Sequence, residues 1–295
     1  MTLGCLVLLS GCGAQGARQP RADAGRPFPH PTRVAVVVLE NRSYGEVIGS
    51  PSAPYLNALA RRYALATRYY AITHPSLPNY IALTGGSVFE INRNCTNCDA
   101  PGPNVVGQLD KAGISWKAYF EELDSNRRPG SPTQQYNPHY NPFVYYETVR
   151  GVPRDRARVV GFDNLRRDLG GAQVPRFIWI APGVRHDGHN SSLRAADSYA
   201  SQLVPQVLRA LGRNGVLYLT WDEGRRTDRR GVGGQPGGGR VALIAAGGAA
   251  RNHARTAVDA NHYALLRTIE AGFGLSALDK AGAKSTPLLR MLRAG

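Results

Sequence analysis

The stretch Arg33-Val-Ala-Val-Val-Val-Leu-Glu-Asn41 decides the fold of this 295-residue chain. Residues 34–39 are six consecutive apolar residues, four of them valines. Such a run is typical of a strand that is buried on both faces of a parallel sheet. Three later segments have the same character: residues 177–180, 216–220 and 241–244.

Helical patterns lie among these apolar runs, at residues 54–66, 77–83, 104–112, 197–211 and 262–272. Buried strands that alternate with helices predict an α/β fold, with a mainly parallel sheet covered on both sides. We expect a single domain over residues 33–295. Within it, residues 123–158 are rich in Tyr, Asn and Pro, which predicts a loop-rich cap.

The first 16 residues have the features of a targeting segment. An apolar run at residues 3–9 leads into Leu9-Ser-Gly-Cys12, and it is too short to span a bilayer. Leu-Ser-Gly-Cys resembles the lipobox of bacterial lipoproteins, which predicts lipidation at Cys12. No basic residue precedes the run, so a chance apolar stub is the alternative. We expect a flexible tether at residues 17–32 and an exported protein, anchored to a membrane or otherwise secreted.

The charge balance favours anionic partners. The chain carries 36 basic and 21 acidic residues, a formal net charge of +15, and 32 of the basic residues are arginines. Phosphate esters, acidic lipids and nucleic acids are the partner classes that such an excess attracts. The arginines are spread along the chain without the basic helix or repeat of nucleic-acid-binding modules, so nucleic acid is not expected as a partner.

The folded part contains two cysteines, Cys95 and Cys98, in the sequence Cys-Thr-Asn-Cys. A redox pair, half of a zinc site and a local disulfide are the alternatives. Zinc requires four ligands, and the chain has no second cysteine pair in this part. The surrounding Asn, Asp and Pro residues indicate a loop, and export favours oxidation. The pattern therefore predicts a disulfide bond that closes this loop.

Polar residues follow three of the apolar strands. Glu40 and Asn41 follow the first, Asp187 and His189 come after the second, and Asp222-Glu223 follow the third. The carboxyl ends of parallel strands share one edge, where ligands bind in such folds. Three carboxylates at residues 40, 222 and 223 would repel one another strongly unless a cation neutralised them. These strand ends therefore predict a metal site.

A nucleophile candidate occurs in Thr73-His-Pro-Ser-Leu-Pro-Asn-Tyr80. Pro75 keeps the preceding residue out of helical geometry, so Ser76 begins the apolar helical segment. There the helix dipole favours an anion such as phosphate. A serine hydroxyl needs a base or a metal to become nucleophilic, and metal coordination at the acidic strand ends would supply that activation. The alternative for Ser76 alone is a helix cap.

Four motifs in order carry a family resemblance: Val38-Leu-Glu-Asn-Arg-Ser-Tyr44, His74-Pro-Ser-Leu-Pro-Asn-Tyr80, Trp221-Asp-Glu-Gly224, and Asn261-His-Tyr263 followed by Leu-Leu-Arg-Thr-Ile-Glu270. Over residues 33–275 the chain resembles the bacterial acid phosphatase and phospholipase C family of the alkaline phosphatase superfamily. The resemblance implies a three-layer α/β/α sandwich and a covalent phosphoenzyme intermediate.

The resemblance also implies roles for individual residues. Ser76 would be the nucleophile, and one divalent metal ion would be held by Glu40, Asn41, Ser76, Asp222 and Glu223. Oxygen ligands suit magnesium, manganese or calcium, and zinc is possible if a histidine joins. Glu223 departs from the acid phosphatase pattern, where the corresponding residue is typically an aspartate.

Further residues are expected around the phosphate. His74 would contact phosphate oxygens, and His189 would protonate the leaving group. Predicted substrate contacts are Asn79, Asp187, His186 and His262. For Asn79 the alternative is a turn-stabilising role, and for His262 a capping or buried one. The glycine-rich segment at residues 231–239 lacks a following Lys-Ser/Thr, so a loop near the site is expected there instead of a nucleotide-binding loop.

The leading hypothesis is metal-dependent hydrolysis of phosphate monoesters through a phosphoserine. A phospholipase C-type phosphodiesterase is one alternative, and a lipid-anchored, non-catalytic phosphate- or lipid-binding protein is another. A sulfatase would need an arginine four residues after the nucleophile, where this chain has Tyr80.

Overall fold

The structure is a computed structural model that describes Met1 and residues 28–123, 136–279 and 285–293. The predicted targeting segment from residue 2 onward, its lipidation site Cys12 and most of the tether lie outside the described residues. Strands in chain order are β1 (Arg33–Leu39), β2 (Ala64–Tyr70), β3 (Trp116–Phe120), β4 (Val159–Gly161), β5 (Phe177–Ala181), β6 (Gly215–Trp221), β7 (Arg240–Ala246), β8 (Arg255–Thr256) and β9 (Ala260–Asn261).

These strands form one nine-stranded sheet in the order β4-β3-β5-β1-β6-β7-β2-β8, with β9 paired to β2. Strand β1 lies between β5 and β6 and is parallel to both. Its residues 34–39 are each at most 2% exposed, so the apolar run is buried on both faces. Strand β7 is antiparallel to β6 and β2. The β6–β7 connection contains no α-helix that could make a parallel crossover.

The helices are α1 (Tyr44–Val47), α2 (Pro54–Arg62), α3 (Ser76–Gly85), α4 (Val105–Lys111), α5 (Glu147–Arg150), α6 (Pro153–Arg156), α7 (Phe162–Gly170), α8 (Leu193–Leu211) and α9 (His262–Gly272). Helix α8 contacts β1 and β6 and packs against α2 and α7. Helix α3 packs against α4 and α9 instead. The two helix groups cover the sheet from both sides, which confirms the α/β sandwich.

The predicted helix at residues 54–66 was wrong at its end. Helix α2 stops at Arg62, and residues 64–70 form β2, which pairs with β7, β8 and β9. The Ala and Leu residues of this segment favour a helix locally, but pairing with three strands outweighs that weak preference. Strands β3 and β4 were also not predicted, whereas helices α3, α4, α8 and α9 lie where the pattern placed them.

The predicted loop-rich cap is described from residue 136 onward. Residues 136–158 contain two 3₁₀ turns, at Pro138–Tyr140 and Pro142–Tyr145, followed by α5 and α6. Phe143 is fully buried, with ring centroids 5.9 Å from Trp116 and 5.7 Å from Trp179. This segment therefore contributes directly to the core.

Cys95 and Cys98 form a disulfide bond, as their position in an Asn-, Asp- and Pro-rich loop predicted. Within the described part of the chain, no helix has both the length and the apolar character that are needed to cross a membrane.

Candidate active site

The carboxyl edge of β1 and β6 brings together two of the three polar pairs, Glu40 with Asn41 and Asp222 with Glu223. Leu39 and Trp221 are register partners, so Glu40 and Asp222 leave the sheet side by side. The backbone of Asp222 donates to the carbonyl of Leu39 at 2.9 Å, and the backbone of Asn41 donates to Asp222 Oδ1 at 3.0 Å. Parallel pairing of two central strands thus produces the acidic edge that the sequence predicted.

Ser76 is the first residue of α3 and is 5% exposed. Its hydroxyl lies 3.2 Å from Glu40 Oε2 and 3.3 Å from Glu223 Oε1, and the amide nitrogen of Asn41 is 3.5 Å away. One serine oxygen therefore meets two carboxylates and an amide. A carboxylate at this distance can accept the hydroxyl proton, which is the activation that a serine nucleophile needs.

The start of α3 offers fewer backbone donors to a phosphate than a typical helix N-terminus. The N–H of Leu77 donates to Asn94 Oδ1 at 3.0 Å, and Pro78 has no N–H. Side-chain donors lie close to Ser76 instead. The amide nitrogen of Asn41 is 3.5 Å from the Ser76 hydroxyl, and His189 Nδ1 is 3.0 Å from that nitrogen. An anion at Ser76 would therefore find its hydrogen-bond donors mainly in side chains and not in the backbone of α3.

The carboxylates of the site are strongly perturbed. Burial raises the pKa of Glu40 well above its usual value, the charges of Asp222, Asp187 and Glu223 raise it further, and a hydrogen bond from Tyr80 opposes the rise. Burial and the charge of Glu223 likewise raise the pKa of Asp222. Buried acids that repel one another are stable as anions only when a cation is close.

The donor set fits a divalent cation. Asp222 Oδ2 is a buried oxygen with no hydrogen-bond partner, and such an orphaned acceptor is rare unless a water or an ion completes it. Glu40, Glu223 and Ser76 provide further hard oxygen atoms in the same cluster. Asn41 turns its amide nitrogen towards Glu40 and Ser76, so its oxygen would join them only if the amide group were turned over. Among the described residues, no three carboxylate, imidazole or thiol groups already converge on one point. The fit therefore rests on the orphaned oxygen and on the mutual repulsion of the acids.

His74 lies beside the nucleophile but is held by two acceptors. Its Nδ1 is 2.5 Å from Glu223 Oε2, and its Nε2 is 2.9 Å from the carbonyl oxygen of Asp228. The hydrogen bond to Glu223 raises the pKa of His74 against the effect of partial burial. Acceptors at both nitrogens favour the doubly protonated ring. His74 therefore offsets the charge of Glu223 and orients it towards Ser76.

His189 is exposed at the mouth of the site, where it neighbours Asn41. Because Nδ1 lies 3.0 Å from the amide nitrogen of Asn41, Nε2 is the ring atom left to face a bound substrate. The structure thus places His189 where the predicted exchange of a proton with the leaving group is geometrically possible.

Asp187 and His186 do not face the site with their side chains, although both were predicted to contact substrate. Asp187 is fully buried and accepts hydrogen bonds from the backbone of residues 189–191 and from Tyr140. His186 Nδ1 is 2.8 Å from Glu121, and its ring stacks on Tyr199 at 4.0 Å. Both residues shape the loop that carries His189.

Asn79 and His262 are likewise buried supports. The side chain of Asn79 accepts from the backbone of residues 72 and 73 and donates to the carbonyls of residues 73 and 75, so it holds the turn before Ser76. His262 lies between Tyr69 OH, at 2.8 Å, and the carbonyl of Asp222, at 2.5 Å. Burial lowers the pKa of His262 to about 4, which keeps its ring neutral. These contacts match the alternatives that the sequence left open, a turn-stabilising role for Asn79 and a buried role for His262.

Two tyrosines were missed. Tyr80 OH donates to Glu40 Oε1 at 2.5 Å. Its position four residues after Ser76 on one helix face was a usable signal. Tyr140 stacks on Tyr80 with ring centroids 6.0 Å apart and donates to Asp187 at 3.0 Å. No local pattern could have found Tyr140, because its contacts join the predicted cap to helix α3 and to the loop after β5.

Sequence relatives are phosphatases. The chain is 29% identical over 225 residues to the phosphatidylinositol-3-phosphatase of Mycobacterium tuberculosis, covering 75% of this chain and 72% of that protein. It is 25% identical to a probable acid phosphatase of Kluyveromyces lactis (84% of this chain, 59% of that protein). It is 27% identical to a phosphate-repressible acid phosphatase of Penicillium chrysogenum (76% and 55%). The chain thus spans just over half the length of these fungal relatives.

Solved structures agree in fold. A protein in the alkaline phosphatase superfamily from Vibrio parahaemolyticus matches 91% of this chain and 72% of its own, with a TM-score of 0.63 at 12% identity. A phosphonate monoester hydrolase of Agrobacterium radiobacter matches 90% of this chain and 78% of its own, with a TM-score of 0.58 at 15% identity. The model of the Phosphoesterase family matches residues 50–276. That match contains residues 71–76, called the nucleophile turn below, together with the acidic end of β6 and most of the sheet. The chain therefore belongs to the Phosphoesterase family.

Proposed function

We propose that this phosphoesterase hydrolyses phosphate monoesters through a covalent phosphoserine at Ser76, with one divalent cation at the acidic edge. The observation that carries the proposal is the Ser76 hydroxyl, which lies 3.2 Å from Glu40 and 3.3 Å from Glu223 beside the unpartnered oxygen of Asp222. The acid phosphatases among the relatives support monoesters over diesters as the substrate class.

In the first step, the Ser76 hydroxyl gives its proton to a neighbouring carboxylate and its oxygen forms a bond to phosphorus. The bond from phosphorus to the substrate alcohol breaks, and His189, protonated on both ring nitrogens, gives one proton to the departing alkoxide and is left neutral. In the second step, His189 accepts a proton from water, whose oxygen attacks the phosphoserine. The bond from phosphorus to Ser76 breaks, and the serine oxygen regains its proton.

Glu40, Asn41, Ser76, Asp222 and Glu223 would hold the cation. When bound, it would polarise the phosphoryl group, neutralise the acids and lower the effective pKa of the serine. The oxygen donors suit magnesium, manganese or calcium, and a contribution from His189 would suit zinc. Export with a lipid anchor at Cys12 stays a prediction, since it depends on residues outside the described part of the chain.

Replacement of the nucleophile tests the proposal directly. We expect Ser76→Ala to lower kcat for an aryl phosphate by at least about a thousandfold, because no other hydroxyl can form the intermediate. Ser198→Ala, on the exposed side of α8, removes the same atom far from the acidic edge and serves as control. Rapid acid quenching with labelled substrate should trap phosphate on the wild-type protein and on Ser198→Ala, and not on Ser76→Ala. Undiminished turnover by Ser76→Ala would contradict the proposed mechanism.

Removal of the cation is a separate test. A chelator should abolish turnover of the same aryl phosphate, and one added divalent metal should restore it, because the uncompensated acids repel an anionic substrate. The Asp222→Asn variant should need a concentration of that metal about tenfold higher for half-maximal activity. Full activity after exhaustive chelation would show that no such cation is required. A panel of monoesters, diesters and phosphatidylcholine would separate the phosphatase from the phospholipase C alternative.

A further inference from the structure

The loop that follows Glu223 carries an unusual charge. Residues 224–230 read Gly-Arg-Arg-Thr-Asp-Arg-Arg, so four arginines and one aspartate follow the acidic end of β6. This loop, called the basic loop below, is the start of the connection to β7. Its arginines come directly after Asp222 and Glu223, so the charge changes from negative to positive within a few residues.

The basic loop is fixed to the nucleophile turn through backbone contacts. The carbonyl of Asp228 accepts from His74 at 2.9 Å, and the N–H of Gly224 donates to the carbonyl of Gly238 at 2.8 Å. Gly238 in turn packs directly against Thr73, where a Cβ atom would clash with the Thr73 carbonyl oxygen. The arginines of the loop therefore stand on a backbone whose position relative to Ser76 is set.

Ion pairs occupy two of the four arginines. Arg225 donates to Glu46 at 2.5 Å. Arg230 forms a two-point pair with Asp228 at 2.8 and 2.5 Å. Although partial burial opposes it, this pairing lowers the pKa of Asp228 to about 2. Asp228 is therefore ionised, and its negative charge is already paired with Arg230.

Arg226 and Arg229 differ from their neighbours. Both side chains are exposed, and among the described residues neither has a hydrogen bond or ion pair to a carboxylate. Arg229 directly follows Asp228, whose carbonyl accepts from His74 Nε2 at 2.9 Å, so the backbone of Arg229 starts beside the imidazole of His74. Two guanidinium groups without a carboxylate partner, on a loop whose backbone is held against His74, leave positive charge available to bind an anion.

We propose that Arg226 and Arg229 form a subsite for a second anionic group, carried by the leaving group of the substrate. The inference rests on the proposed function, since it assumes that the first phosphoryl group binds at Ser76. A second anion cannot bind among Glu40, Asp222 and Glu223 once the scissile phosphate occupies their cation, so the basic rim is where its charge is compensated. The substrate class is therefore a phosphate monoester whose alcohol bears a carboxylate or a second phosphate.

The test compares two aryl phosphates that share one cleavable ester. Phenyl phosphate has no second charge, and 4-carboxyphenyl phosphate has one in the leaving group. We expect wild type to favour the carboxylated ester in kcat/KM, and the double variant Arg226→Ala/Arg229→Ala to lower the ratio of the two values about tenfold. Salt should lower the wild-type ratio, because both arginines are exposed. Arg226→Lys/Arg229→Lys should restore part of the ratio.

The control variant is Arg209→Ala/Arg213→Ala, which removes two exposed arginines next to the start of β6, at the opposite edge of the sheet. It should leave the ratio at the wild-type value. An equal ratio in the Arg226/Arg229 variant and wild type would overturn the inference alone. Failure of wild type to cleave either ester would contradict the proposed function and, with it, this inference.

A lipid source of the same anion requires its own arm. Phosphatidylinositol 3-phosphate in phosphatidylcholine vesicles and soluble inositol 1,3-bisphosphate both carry a second anionic phosphate group in the leaving group. The Arg226/Arg229 variant should lose activity on both by a similar factor. A loss confined to the vesicle substrate would show that the arginines bind a membrane surface, and would overturn the subsite.

Discussion

At the scale of single residues, the environment of Glu40 determines what the site can do. This carboxylate is 1% exposed, and its two oxygens meet Tyr80 and Ser76. Burial and neighbouring acids favour its protonated form, while the tyrosine hydroxyl and a cation favour the anion. In the proposed mechanism these opposing effects set the reactivity of Ser76, and Tyr80 would be a positioning residue that acts through Glu40.

We expect Tyr80→Phe to raise the metal concentration for half-maximal activity about tenfold. The substitution removes a hydrogen bond to a buried carboxylate, an interaction of roughly 1.5–3 kcal/mol, and so makes the anionic, metal-binding form harder to reach. Activity titrated with metal at constant pH measures the effect. The control is Tyr146→Phe, which also removes a buried hydroxyl, bonded to Thr84 at 3.0 Å. That variant should lose stability with an unchanged metal response, and an unchanged response in Tyr80→Phe would refute the role.

At the scale of elements, the glycine-rich segment before β7 lies against the nucleophile turn. The N–H of Gly238 donates to the carbonyl of Ala71 at 3.1 Å, and Gly239 adopts a φ of 93° beside Asp228. These glycines let two backbones approach more closely than a side chain would permit. The segment that the sequence marked as a loop near the site is thus a packing surface for residues 71–74.

Gly238→Ala should lower both activity and stability. The added methyl group would meet the Thr73 carbonyl, so the turn that carries His74 and Ser76 must shift. We expect kcat/KM to fall at least about tenfold and the free energy of unfolding to fall by about 2 kcal/mol. Gly170→Ala, at the end of α7 with open space around its Cβ, is the matched control and should change neither. Kinetics together with denaturant unfolding distinguish displacement of the turn from simple loss of folded protein.

At the scale of the whole molecule, Glu270 connects α9 to the following chain. Its side chain is fully buried, and its Oε1 accepts the N–H of Leu278 at 2.8 Å. Burial raises the pKa of Glu270 to about 7, against the opposing effects of that hydrogen bond and of Arg267. The folded protein therefore keeps a proton that the unfolded chain releases near pH 4.5, and folding becomes less favourable as pH rises between these values.

We expect Glu270→Gln to remove the part of the stability loss that develops as pH rises from about 4.5 to about 7. Stability from the protonated Glu270 is fully present below about pH 4.5 and is lost as pH rises through about 7, by about 2–3 kcal/mol at most. The difference in free energy of unfolding between Glu270→Gln and wild type should therefore grow from pH 5 to pH 8. Glu147→Gln alters a carboxylate on the surface and is the control. A difference that stays constant with pH would rule out this role for Glu270.

The sequence by itself determined the sheet strands that are continuously apolar, the residues that follow them, and the serine at the start of α3. These features are local: burial on both faces requires an unbroken apolar run, and polar residues directly after it must emerge at the sheet edge. Position at the edge does not determine the direction of a side chain. Only the tertiary structure decided that Asp187, Asn79 and His262 support the backbone while Ser76, Asn41 and His189 meet at the site.

The same distinction applies to contacts between distant segments. The first three residues of strand β2 were assigned to the preceding helix because their pairing with β7 is not encoded in the segment itself. Tyr140 and the basic loop acquire their roles from neighbours far along the chain, His74 and Asp187 among them. Local sequence sets backbone preference and burial pattern, whereas hydrogen-bond partners and unpaired charges depend on which segments the sheet order brings side by side.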